Sequence, residues 1–189
     1  MLYFTSSIVI EGKNMDWLGI KEFLKDSFKL ILFVFILLFI MIYVFSITQV
    51  VGDSMSPTLV DEEVLFLNKA QYRFFDVKRG DIISLEYADT KYLIKRVIGL
   101  PGEKVEIKDN KVYINDELLE EEYLQNELVY DDFTLQEIGY ETIPENMYFV
   151  LGDNRENSMD SREIGLVSKE QIQGKIFMRF WPLNKIKFY

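Results

Sequence analysis

The chain contains neither histidine nor cysteine among its 189 residues. Without histidine there is no Ser-His-Asp triad and no imidazole metal ligand. Without cysteine there is no thiol nucleophile, disulfide scaffold, thiolate zinc site or cysteine-ligated iron–sulfur cluster. Acid–base chemistry is left to lysine, tyrosine and carboxylates. Positive charge is also scarce, with 21 Lys and Arg against 31 Asp and Glu, and the net charge of -10 argues against nucleic acid as a partner. What the chain has in quantity is apolar surface, 49% hydrophobic and 15% aromatic residues, ample for one folded domain and contrary to extended disorder.

Much of that apolar content lies in one run. Residues 30–47 read LILFVFILLFIMIYVFSI, where only Tyr43 and Ser46 carry polar side-chain atoms. As a helix this run covers roughly 27 Å, close to the ~30 Å of a bilayer core. A buried core helix is the alternative. A removable signal peptide would need a shorter apolar region and a small-x-small cleavage site, and Ser46-Ile47-Thr48 matches one poorly. Lys13, Lys21, Lys25 and Lys29 precede the run and no Lys or Arg follows it until Lys69, so the positive-inside rule puts the N-terminus in the cytoplasm. The expected organisation is therefore a cytoplasmic segment 1–29, a membrane helix 30–47 and an extracytoplasmic domain 48–189. Glu11, Asp16, Glu22 and Asp26 balance the four lysines, leaving the whole -10 on the exterior domain.

Beyond the span, segments rich in Val, Ile, Leu and Tyr recur between turn signals at 64–67, 82–87, 92–100, 104–108, 111–115, 148–151 and 175–181. No convincing amphipathic helix lies among them, so the domain reads as mainly β. Segments 104–108 and 111–115 form a hairpin around Asp109-Asn110. Residues 116–145 are strongly acidic and read as a solvated surface stretch, part of an accessory excursion at about 103–146. The tail aromatics Phe177, Phe180 and Trp181 suit a core strand, with a membrane-interface role as the alternative.

Three polar segments stand out. In Gly52-Asp53-Ser54-Met55-Ser56-Pro57-Thr58-Leu59, Ser54 reads either as a turn residue or as a nucleophile, and a nucleophile would need Lys or a carboxylate as its base. In Lys95-Arg96-Val97-Ile98-Gly99-Leu100-Pro101-Gly102, two cations interrupt an apolar strand. They are either edge-strand charges that discourage aggregation or, with Lys95 turned inward, a base whose pKa burial lowers by up to ~3–5 units. The loop Gly152-Asp153-Asn154-Arg155-Glu156-Asn157-Ser158-Met159-Asp160-Ser161-Arg162 is either a structural turn rich in short polar residues or a rigid site at a strand end, in which Asp160 and Arg162 could pair.

Together with Arg79-Gly80-Asp81-Ile82, these segments in this order resemble the boxes of the type I signal peptidase family, over essentially residues 30–181 and weakest between 108 and 148. The resemblance implies a β catalytic domain preceded by one N-terminal transmembrane helix. It also implies a Ser/Lys endopeptidase that removes signal peptides from exported preproteins after a small-x-small site. Carried over box by box, Ser54 is the nucleophile, Lys95 the general base and Met55 a substrate-binding residue. Ser158 orients the Lys95 amine, Asp160 pairs with Arg162, and Arg96 pairs with Asp153. The partners implied are preproteins and the lipid bilayer, with no metal, cofactor or nucleic acid. Some relatives carry a second serine two positions before the nucleophile as an oxyanion donor. Gly52 stands there, which resembles the single-span, Gram-positive branch and leaves the Ser54 backbone N–H as donor. A membrane-tethered binding module without catalysis is the reading to set against this one.

Overall fold

The computed structural model describes residues 17–88, 91–124 and 130–189. Residues 1–16, with Lys13, and Glu127 of the acidic stretch lie outside them. The chain divides into two units, Met1–Ile40 and Met41–Tyr189.

The first unit carries helix α1 (Trp17–Val44), which continues through the first residues of the second. Its residues Gly19–Val44 are long and apolar enough to cross a membrane, and they lie unburied. A helix satisfies its own backbone hydrogen bonds, the condition for a single segment to sit in hydrocarbon. The helix starts well before the apolar run because Lys21, Glu22, Lys25 and Lys29 are good helix formers, and Lys29 pairs with Asp26 at 3.0 Å. It stops at Val44. Phe45, Ser46 and Ile47, expected to finish the span, instead open strand β1 (Phe45–Gln49), where the backbone finds an antiparallel partner.

The second unit continues with β2 (Val64–Asn68), α2 (Gln71–Phe74), β3 (Ile82–Tyr87), β4 (Lys91–Gly99), β5 (Val105–Lys108), β6 (Lys111–Ile114), β7 (Glu117–Leu118), β8 (Phe133–Thr134), β9 (Met147–Leu151), α3 (Ser161–Ile164), β10 (Val167–Ser168), β11 (Ile172–Trp181) and β12 (Lys187–Phe188). The main sheet runs β1-β2-β11-β3-β4-β9-β10, with β12 added to β11, and a four-stranded sheet runs β7-β6-β5-β8. The architecture is mainly β, and each of the seven runs read as strands is one. The hairpin turn between β5 and β6 places Asp109 at φ 51° and Asn110 at φ 61°, the paired left-handed conformation that these two residue types tolerate.

Strand β4 decides the meaning of the two cations. It lies between β3 and β9, with Lys95 opposite Ile83, and with Arg96 opposite Ile82 on one side and Leu151 on the other. Neither residue is on an edge, so the edge-charge reading falls, and both are buried. Around this strand the core has three apolar clusters. One joins the small sheet to the main one through Ile98, Val105, Phe133, Phe149 and Leu151. A second gathers Val50, Met55, Leu59, Leu65 and Ile176, and the third Ile83, Leu85, Val97 and Val150. Strand β11 joins the sheet through Ile176, while Phe177 and Phe180 form a ring cluster with Phe45 and Phe66 and Trp181 stays half exposed.

Candidate active site

Ser54 sits in the turn after β1, which folds back because the Val50 N–H donates to the Glu63 carbonyl at 2.8 Å and Leu59 buries completely. Lys95 reaches it from the middle of β4, and the Lys95 Nζ donates to Ser54 Oγ at 2.7 Å. The two line a cavity of about 280 Å3 with Val50, Tyr92, Leu93, Ile94 and Ser84. Lys95 is 1% exposed, and burial lowers its pKa to about 8, against the opposing pull of Asp160 and Asp153. That pull is outweighed by desolvation, and the structure shows a reason. Each carboxylate is already paired, Asp153 with Arg96 at 2.8 and 2.6 Å and Asp160 with Arg162 at 2.8 and 2.9 Å. Two neutralised pairs leave desolvation to dominate.

The loop carrying Asp153 and Asp160 leaves β9 and is tied to the serine turn. Asn154 N–H donates to the Ser54 carbonyl at 3.0 Å, and the Asn154 side chain donates to the Asp53 carbonyl at 3.2 Å. Asp160 caps α3 and also accepts from the Gly152 N–H at 3.0 Å. Gly152 must be glycine here. A Cβ would lie 2.2 Å from Ser158 Oγ and 2.4 Å from the Ser54 carbonyl oxygen, closer than real Cβ contacts come.

The structure brings together Ser54, Lys95, Arg96, Asp153, Asp160 and Arg162 as the sequence suggests, including both ion pairs. One assignment changes. The expected hydrogen bond from Ser158 to Lys95 is not made. The Ser158 hydroxyl is buried against Gly152 without a partner. Met55 is 1% exposed and belongs to the second core cluster, and it also lines the cavity that holds Ser54 and Lys95. Gly52 has φ +85°, which favours glycine, and its N–H donates to Asp61 at 2.8 Å, in keeping with the expectation that the donor is not Gly52.

Sequence reasoning missed Arg155, Glu121 and Tyr123. Arg155 is 1% exposed and pairs with Glu121, one carboxylate of the stretch read as solvated. A buried arginine demands an acid, but residues 116–145 offered eleven candidates and no rule for choosing among them.

A family model described as "Signal peptidase, peptidase S26" matches residues 20–181. The chain is 41% identical over 150 residues to Signal peptidase I of Bacillus amyloliquefaciens, covering 77% of this chain and 80% of that protein. It is 40% identical over 174 residues to Signal peptidase I P of Bacillus subtilis subsp. natto, covering 88% and 94%. The crystal structure of a signal peptidase I from Enterococcus faecalis V583 is similar at 41% identity and a TM-score of 0.50, covering 54% of this chain and 97% of that one. A β peptidase domain behind an apolar helix, with these matches, makes the chain a membrane-anchored serine endopeptidase that belongs to the signal peptidase family, on its type I, Gram-positive-like branch.

Proposed function

We propose that Ser54 and Lys95 form the catalytic dyad and that the enzyme removes signal peptides from exported preproteins after a small-x-small site. The observation that carries this is the 2.7 Å approach of Lys95 Nζ to Ser54 Oγ, at a lysine the fold has desolvated. Neutral Lys95 takes the Ser54 proton as Oγ attacks the scissile carbonyl. The resulting ammonium protonates the leaving amine, which departs as the acyl-enzyme forms. Lys95, neutral again, takes a proton from the water that attacks the acyl carbonyl and returns it to Ser54 Oγ as the acyl group leaves. The Ser54 N–H, which donates to no described residue, faces the role of oxyanion donor. These steps call on no metal or cofactor, and the partners they need are a preprotein and the bilayer that carries its apolar segment.

A kinetic pKa for Lys95 tests the dyad. With a pKa of about 8, about one molecule in ten has a neutral lysine at pH 7, against about one in 2,500 for a lysine in water. The cleavage kcat/KM rises about tenfold per pH unit below pH 8 and levels above it. A flat profile between pH 6 and 8 would remove Lys95 as the base.

We also assign residues 1–16 and the start of α1 to the cytoplasmic side and the β domain to the outside, because Lys21, Lys25 and Lys29 cluster before the apolar segment. Protease added to sealed right-side-out cells digests the β domain under this topology, and protection of that domain until the membrane is opened contradicts it.

A further inference from the structure

The accessory sheet touches the reactive loop through side chains that the proposed chemistry leaves unused. Arg155 has the largest side chain among the fully buried residues. Its Nε donates to the Gly152 carbonyl at 3.1 Å, and its Nη1 donates to Glu121 Oε2 at 3.0 Å and to the Tyr130 hydroxyl at 3.1 Å. The Nη2 donates to Glu121 Oε1, which also accepts from the Tyr123 hydroxyl. The centre of the Tyr123 ring lies 3.8 Å from the guanidinium carbon of Arg96, which pairs with Asp153 and also donates to the Gly80 carbonyl at 3.0 Å. Two neighbouring residues of the accessory segment thus hold the two arginines that flank Gly152 and Asp153. The Arg155 carbonyl in turn accepts from Arg162 at 2.7 Å, which brings the third arginine into the same network.

Glu121 differs from the rest of its stretch. Every other described carboxylate of residues 116–145 is exposed, whereas its side chain is 8% exposed and that of Arg155 is 0% exposed. A buried ion pair contributes little net stability after desolvation. What a two-pronged pair on a guanidinium does supply is a fixed plane and direction. The plane fixed here is next to Gly152, whose backbone lies so close to Ser158 and the Ser54 carbonyl that a Cβ would not fit.

We propose that Glu121 and Tyr123 are positioning residues for the reactive loop, clamping Arg155 and Arg96 and through them the placement of Gly152 against the Ser54 carbonyl and of Asp153 near Lys95. The inference rests on the Ser54/Lys95 reading. It gives the accessory sheet a catalytic consequence, since β7 leads into residues 119–124 and β8 follows Tyr130.

The test uses the full chain in detergent with a preprotein substrate, comparing Glu121→Gln, Arg155→Gln, the double variant, Tyr123→Leu and Ser54→Ala, each checked for cooperative melting. Glu121→Gln and Tyr123→Leu lower kcat about tenfold or more with KM within about twofold, as expected when reacting groups are misplaced rather than binding lost. A loosened loop admits water to Lys95, whose charged neighbours are Asp153, Asp160 and Arg162. The acid limb of the pH profile then moves up by about half a unit or more toward an ordinary lysine. The double variant loses no more activity than Arg155→Gln alone, because Glu121 acts through Arg155. A folded Glu121→Gln enzyme with parental kcat, or a loss that follows the unfolded fraction with an unmoved acid limb, overturns the clamp. An inactive Ser54→Ala beside a normal Glu121→Gln overturns the clamp alone; an active Ser54→Ala overturns the dyad and the clamp with it.

Discussion

Lys95→Arg cleaves preprotein no faster than Lys95→Ala, with both at least about 10³-fold below the parent. The guanidinium stays protonated at any pH the protein survives, so it keeps the charge and loses the only function proposed for the lysine. Lys95→Met separates catalysis from folding more sharply, because it removes a buried amine while roughly keeping the volume. The folded lysine has a pKa of about 8 against 10.5 in the unfolded chain, so between those values the unfolded state binds more protons and stability rises with pH. Below about pH 8 the burial penalty is present in full, on the order of 3 kcal/mol, and above pH 10.5 it is gone. Lys95→Met is therefore inactive yet more stable than the parent at pH 7, and the difference closes as pH passes from 8 to 10.5. Kinetics beside thermal or denaturant melts at three pH values check both halves. An active Lys95→Arg enzyme, or a Lys95→Met variant destabilised at pH 7, contradicts the account of this residue.

The same balance explains why the two carboxylates near Lys95 do not spoil it. Free acids at Asp153 and Asp160 would raise the lysine's pKa further, and their pairs with Arg96 and Arg162 offset part of that pull. The ion pairs thus have an electrostatic role at Lys95 as well as a structural one in the loop.

Sequence and structure agree where local chemistry is decisive. Strands β2 to β6 announce themselves through β-branched runs, and Asp109-Asn110 announces its turn through the backbone conformation those residues accept. Strand β1 was hidden because Phe45, Ser46 and Ile47 continue an apolar run that a membrane helix and a sheet strand use alike. The short strands β7, β8, β10 and β12 depend on partners far along the chain, which no local pattern carries. At the site, the pairs of Arg96 with Asp153 and of Asp160 with Arg162 were legible through the resemblance and are met by the geometry. The unpaired Ser158 hydroxyl, the inward Met55 and the selection of Glu121 by Arg155 were not. Each depends on where a side chain finds space, a property of the packed molecule.

Ser54→Ala gives the most direct test of the central claim. The substitution removes one oxygen from a half-buried side chain and leaves the turn, the Asn154 bond to the Ser54 carbonyl and the neighbouring core in place, so the variant folds as the parent does. Without its nucleophile the enzyme loses at least about 10⁴-fold in cleavage, retaining only what binding and oriented donors contribute. The measurement is the mass of the products from one preprotein treated with the detergent-solubilised parent and with the variant. The account predicts a single cut after a small-x-small site by the parent and intact preprotein with the variant. Equal cleavage by both proteins, or an uncut preprotein with a demonstrably folded parent, would contradict it.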